Sequence, residues 1–441
     1  MGVTFGIRRE DKNEWERRVP LIPDDLAALR SAHDLDFVVQ PSPIRVFGDD
    51  EFARAGAVVS EDLAPAKVVL AVKEIPLDLL REKTAYLFFS HTVKGQAHNM
   101  PLLQRMLDLG CTLIDYEKIA DEQNRRLIFF SVHAGFAGMI ESLVAFGRRL
   151  EHEGLKTPLL EIRQAFRYAD LGEAKEHLKA VGEKIAREGM GDHRRPVIIG
   201  LAGYGNVSRG CQEILDCLPA RQIEPEDLEA AAGASVDEAG PLLKVVFHEE
   251  DMVEPRSKDA QFVLQDYYQR PGNYRGIFDR HLPRLDILVN TIYWEDRYPR
   301  LLTRKWAKAH YGAGKECRLK VVGDISCDIE GSCELTVKAT MPDAPCYVVE
   351  PDSMEVVPGV AGEGPVIMAV DNLPCELPRE SSEHFSRVLR DMVPELAQAD
   401  FGVDFEGLHL PMYLKKAVIA HRGELAPGYR YLKDHLARSG K

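Results

Sequence analysis

The stretch Arg195–Leu218, RPVIIGLAGYGNVSRGCQEILDCL, runs from an apolar segment through a glycine turn into a helical pattern. A short apolar run bounded by turn formers reads as a buried strand. Beyond the turn, Val207, Cys211, Ile214, Leu215 and Leu218 share one helical face. Between strand and helix, Gly203, Gly205 and Ser208 form G-x-G-x-x-S, with Gly200 and Gly210 flanking it. Glycines allow a tight turn and a close backbone approach to a pyrophosphate, whose charge the helix N-terminus then meets. A bare glycine pattern says little, but strand, turn and helix in this order are the context that marks dinucleotide binding. The backbone from Gly203 through Tyr204, Gly205 and Asn206 to Val207 is the expected cradle. Ser208 in place of a third glycine is expected to open the packing slightly.

Further strands are expected at LLKVVF (242–247), LDILVNTI (285–292) and LKVVGDIS (319–326), giving a doubly wound parallel sheet. After the first of these stand His248, Glu249, Glu250 and Asp251. At this place an acid accepts from the ribose 2′-OH of NAD, whereas a base receives the 2′-phosphate of NADP. Glu249 and Glu250 therefore favour NAD, with NADP possible; a solvated acidic loop also fits, because this strand lies well beyond the usual offset of about 20 residues. Asp324 and Asp328, in VVGDISCDIEGS, read as turn or cap residues ahead of a metal site.

Working toward the N-terminus, VTFGI, FVVQ, KVVLAV, AYLFF, CTLIDY and LIFF alternate with helical stretches, the pattern of a layered α/β domain. Two of these runs stop on a basic side chain, KVVLAVKE on Lys73 followed by Glu74, and AYLFFSHTVK on His91. Carboxyl ends of strands border the ligand crevice of open α/β sheets, which gives both residues a functional reading. Taken singly, each also fits the start of a solvated loop. Arg17 and Arg18 precede an apolar step, and an arginine fork suits a carboxylate. Glu117 and Arg126 bracket a turn.

A chain of 441 residues suggests more than one core. Domains are expected at 1–135 with 365–441, the substrate domain, and at 136–364, the dinucleotide domain, with a crevice between them. The charged stretch 155–193 reads as a solvated helical insertion. A net charge of −14 disfavours nucleic acid and anionic membranes as partners, though not acidic substrates. Eight cysteines without a CxxC pair read as reduced thiols, and no metal is expected. No spanning segment or signal pattern is seen, so a cytoplasmic chain acting on small molecules is expected, with a homo-oligomer left open.

Together, GIRREDKNEWERRVPLIP (6–23), LFFSHTVKGQAHNMPLL (87–103), GYGNVSRGCQEIL (203–215), GDISCDIEGS (323–332) and VDNLPCELPRESSEHF (370–385) resemble one family. It comprises the lysine–2-oxoglutarate reductase half of the bifunctional aminoadipate semialdehyde synthases and the lysine-forming saccharopine dehydrogenases. Alanine dehydrogenase is more distantly similar. The resemblance implies a two-domain oxidoreductase that joins lysine and 2-oxoglutarate into saccharopine using NAD or NADP, without the glutamate-forming half. It implies Lys73 and His91 as the catalytic pair and Arg18 as the substrate-carboxylate arginine. It further implies substrate contacts at Glu74, Glu117, Arg126 and Phe130, and an aspartate near the nicotinamide ribose at Asp324. The animal enzyme is similar to a basic, NADP-using version where this sequence has His248-Glu249-Glu250. An alanine-dehydrogenase-like or other opine-type enzyme, or a non-catalytic nucleotide sensor, are the alternatives.

Overall fold

Residues 2–312 and 315–439 are described by the computed structural model of the chain, which divides into two units, Met1–Phe130 with Pro378–Lys441, and Ser131–Leu377. The divisions fall at 130/131 and 377/378, where the sequence suggested 135/136 and 364/365.

The first unit is an eight-stranded sheet. Its strands are β1 (Val3–Ile7), β2 (Leu35–Val39), β3 (Val58–Val59), β4 (Val68–Leu70), β5 (Ala85–Phe88) and β6 (Thr112–Asp115), with β17 (Val418–His421) and β18 (Glu424–Leu425) from the C-terminal segment. The order is β18-β17-β6-β5-β4-β1-β2-β3. Strands β1 to β6 pair in parallel, and β17 joins β6 antiparallel. The winding reverses at β1, which lies between β2 and β4; such a switch point leaves a crevice at the strand carboxyl ends. The central strands are buried on both faces, as continuous runs such as VVL and AYLF require. The run LIFF (127–130) does not form a strand. Ile128 alone is fully buried there, and Phe130 turns into an aromatic cluster instead of a ladder.

The second unit carries β7 (Val197–Ala202), β8 (Ala220–Ile223), β9 (Leu242–Phe247), β12 (Ile287–Asn290), β13 (Val321–Asp324), β14 (Cys346–Val349), β15 (Val356–Pro358) and β16 (Val366–Met368). A separate pair is formed by β10 (Val253–Pro255) and β11 (Tyr274–Gly276). The sheet order is β15-β14-β16-β13-β12-β7-β9-β8, parallel except for β14 and β15. Its reversal lies at β7, between β9 and β12. Strand β16, expected in the first domain, pairs with β13 and completes this second sheet. An apolar run such as VIM fits either sheet, so the sequence carried no signal for the choice.

The stretch expected to be a solvated insertion is packed. The helix Leu171–Glu188 buries Leu178, Val181 and Ile185 in the core of this unit, with only its outer face charged. The long helix Ser131–His152 packs on the helix Asn206–Leu215, and glycines set their distance. A Cβ on Gly210 would stand 2.2 Å from the carbonyl oxygen of Val132, and one on Gly135 would stand 2.1 Å from that of Val207. Ser208 is fully buried without opening the contact, because Gly210 supplies the close approach.

Candidate active site

In the first unit, Lys73 and His91 each lie three residues past the end of a strand, and those strands, β4 and β5, are parallel neighbours with Leu70 opposite Leu87. The equal offset brings both side chains to one edge of the sheet. His91 takes a left-handed backbone with φ of 53°, uncommon for a residue with a Cβ. Asn99 Nδ2 donates to the His91 carbonyl oxygen at 2.9 Å and holds that turn. The preceding Ser90 is pinned by Asp115, at the end of β6, through both its N–H at 3.2 Å and its hydroxyl. Strain retained at a strand end by three such contacts is the kind found at working sites.

His91 Nδ1 lies 2.5 Å from Glu74 Oε1, while Lys12 Nζ donates to Glu74 Oε2 at 3.0 Å. Against its burial, the hydrogen bond from His91 and the charge of Lys12 hold the Glu74 carboxyl at about 2. Lys73 moves the other way: burial, then the neighbouring Arg18, pushes its ammonium below the ordinary lysine range, with Glu16 and Glu74 opposing. An amine lowered in this way is suited to exchanging protons.

A residue that sequence reasoning passed over fixes Lys73. Glu10 follows β1, and its carboxylate accepts from the N–H groups of Val72 at 2.6 Å and Lys73 at 2.9 Å. It therefore bridges the switch point between β1 and β4. Burial, aided by Glu16, raises the Glu10 carboxyl to about 7 in spite of those two donors. Glu10 and Asp115 both sit at strand carboxyl ends, so the rule that singled out Lys73 and His91 could have found them.

Arg18 is buried and directs Nε and Nη2 at Glu16, at 2.7 and 2.6 Å. The forked edge expected to grip a substrate carboxylate is thus engaged inside the protein. Its guanidinium carbon stands 4.5 Å from the centroid of Phe130, which joins Phe89, Tyr116 and Phe385 in one aromatic cluster. Arg126 is exposed, 5.9 Å from the Phe89 ring centre, and Glu117 is half-buried with its N–H donated to Asp115 Oδ1 at 2.8 Å. The Tyr116 hydroxyl is buried with no partner among the described residues.

In the second unit, the turn after β7 has the form a pyrophosphate needs. Gly203 has φ of 98°, and the Cβ direction of Gly205 meets nothing within 4 Å at the start of the helix Asn206–Leu215. A cavity of about 550 Å³ opens there, walled among others by Gly203, Tyr204, Gly205, Glu249 and Thr291. Because β9 lies directly beside β7, Glu249 reaches this cavity although β8 and its connections lengthen the sequence offset. Glu250 is exposed and is not among the cavity walls. Asn206 and Val207 open the helix. Asp324 is fully buried: Asn290 Nδ2 donates to it at 2.8 Å and Ser326 Oγ at 2.7 Å, and Thr336 Oγ1 donates to its other oxygen. In this arrangement it braces the Ser326–Thr336 loop. Glycine turn, helix N-terminus and strand-end acid fit a nicotinamide dinucleotide.

Among the described residues no helix is long and apolar enough to cross a membrane. Residues 6–137 match the family described as alanine dehydrogenase/PNT, N-terminal domain. The alpha-aminoadipic semialdehyde synthase of Arabidopsis thaliana is 36% identical over 97% of this chain, and the mitochondrial one of Bos taurus 34% over 98%. The chain spans less than half of these relatives, 41% and 48% of their lengths. A saccharopine dehydrogenase [NAD(+), L-lysine-forming] of Neurospora crassa is 26% identical, covering 90% of this chain and 91% of the relative. A solved L-alanine dehydrogenase shares the fold with a TM-score of 0.63 at 17% identity, over 98% of this chain and 100% of that one. Residues 6–137 thus match an alanine dehydrogenase/PNT N-terminal domain, and the whole chain is similar to part of the aminoadipic semialdehyde synthases and to the saccharopine dehydrogenases.

Proposed function

We propose that the chain is an NAD-preferring oxidoreductase that joins L-lysine and 2-oxoglutarate into saccharopine, reversibly. The ε-amine attacks the keto carbon, water leaves, and the imine takes up a hydride and a proton; in balance, lysine, 2-oxoglutarate, NADH and H⁺ give saccharopine, NAD⁺ and water. A bound nicotinamide would supply the hydride, and the protein supplies position and proton traffic. The Lys73 amine, lowered by burial and Arg18, and the His91 imidazole, oriented by Glu74, hand protons to and from the nitrogen and the departing oxygen. The exposed Arg126 meets a carboxylate of the product, while Arg18, its fork engaged by Glu16, acts through its charge beside Lys73. Phe130 and Glu117 complete the substrate contacts, and Asp324 holds the loop nearest the nicotinamide ribose.

The observation that carries this reading is the placing of Lys73 and His91 just past the ends of the neighbouring parallel strands β4 and β5, with Glu74, next to Lys73 in the chain, hydrogen-bonded to His91. Absorbance at 340 nm tests it, using purified protein, NADH or NADPH, 2-oxoglutarate and a panel of amines. Lysine should support oxidation of NADH. Turnover only with pyruvate and ammonium would replace the reading by an alanine-dehydrogenase-like one, and no turnover with any pair would remove the enzymatic reading.

A further inference from the structure

Glu249 and Glu250 are neighbours after β9, yet their surroundings differ. Glu249 lines the cavity beside the glycine turn; Glu250 is exposed outside it. Tyr268, from the helix Leu264–Gln269, donates its hydroxyl to Glu249 Oε1 at 2.6 Å. Tyr204, inside the glycine turn, lines the same cavity as Glu249 and Tyr268. The Tyr204 ring is itself fixed by stacking on His248, with centroids 4.2 Å apart and planes at 15°. Burial, then the adjoining carboxylate, keeps both phenols above their ordinary range, so both remain donors.

The same cavity contains Arg297 and Arg300, which would welcome a phosphate. Their charge is already met: Arg297 Nε lies 2.9 Å from Glu295, and Arg300 Nε lies 3.4 Å from Glu334. Glu249 is left as the group that decides between a ribose hydroxyl and a ribose phosphate. A carboxylate held in place before binding loses little side-chain freedom when it accepts from the hydroxyl, and it cannot swing aside for a phosphate.

We propose that Tyr268 is the positioning residue that holds the Glu249 carboxylate for the adenosine ribose of NAD, and so sharpens the choice of cofactor that Glu249, and not Glu250, makes. This rests on the chain being a dinucleotide enzyme and not on which amine it condenses.

The test is direct titration of the full chain with NADH and NADPH, followed by cofactor fluorescence, for native protein and for Glu249→Gln, Glu250→Gln, Tyr268→Phe and the pair Glu249→Gln/Tyr268→Phe. Losing a hydrogen bond to a charged group costs roughly 1.5–3 kcal/mol, so Glu249→Gln should lower the NADH-over-NADPH ratio about tenfold or more. Tyr268→Phe should lower the same ratio about threefold with an unchanged thermal midpoint. Glu250→Gln should move it less than about twofold. In the double variant Tyr268→Phe should add nothing to Glu249→Gln, because its effect passes through that carboxylate. The proposal is overturned if Glu250→Gln moves the ratio as far as Glu249→Gln, if Tyr268→Phe weakens both cofactors equally, or if the two changes simply add. Tight NADH binding without turnover on lysine would sink the proposed reaction and leave this inference standing.

Discussion

At the scale of single residues, Lys73 and His91 were legible in the sequence because each ends an apolar run on a titratable group. Glu10 was not, because its work is done through two backbone N–H groups that only the pairing of β1 with β4 brings within reach. If Lys73 and His91 move protons during condensation, Lys73→Met and His91→Gln should each lower kcat by about 10²- to 10⁴-fold with little change in NADH affinity; near-native kcat in both would end that assignment. Glu10 makes a separate prediction, because its carboxyl lies at about 7 when folded against an ordinary value of 4.5. A raised carboxyl favours the protonated form in the fold, so its contribution is full below about 4.5 and is lost as pH rises through about 7. Native protein should therefore lose stability relative to Glu10→Gln between pH 5 and 8, by at most about 3 kcal/mol. Equal pH slopes in denaturant unfolding of the two proteins would contradict the burial argument.

Among elements, the strand–turn–helix unit at 195–218 could be read directly, since its apolar period changes from strand to helix across two glycines. The helix Leu171–Glu188 was misread because its charge density hides a narrow apolar stripe of Leu178, Val181 and Ile185. The stripe was visible at helical spacing, but composition outweighed it. The third glycine of the turn was also judged by pattern, whereas the packing places the need for a small residue at Gly210, against Val132. Gly210→Ala forces a methyl to within 2.2 Å of a backbone oxygen, so the two helices must separate. Such overpacking costs typically about 1–3 kcal/mol, or several degrees in the unfolding midpoint for a unit of this size. Ser208→Gly, which makes the familiar glycine pattern, should bring no comparable change. Differential scanning calorimetry of both variants decides whether the close contact or the motif governs this element.

For the whole molecule, alternation of strands and helices foretold two layered α/β units, while assignment of strands to sheets depended on pairings with no local signal. Strand β16 shows this, as does β17, which lies more than 300 residues from its partner β6 in sequence. Each unit buries its own apolar clusters, so ligand binding to one can be followed through probes within it. Trp294 and Trp306 lie in the second unit and Trp15 in the first; Trp15→Phe leaves tryptophan fluorescence from the second unit only. NAD⁺ at about 100 times its dissociation constant stabilises what it binds by about 2.7 kcal/mol, which for this size raises the midpoint by roughly 5–10 °C. Gly205 permits a sharp control, since its Cβ direction is open and its φ of −73° suits any residue. Gly205→Asp, in the Trp15→Phe background, should keep the ligand-free midpoint. It puts a carboxylate where the pyrophosphate would approach the helix N-terminus, so the rise with NAD⁺ should vanish. A rise that survives Gly205→Asp would mean that the dinucleotide binds elsewhere, and that the glycine turn is only a tight connection between strand and helix.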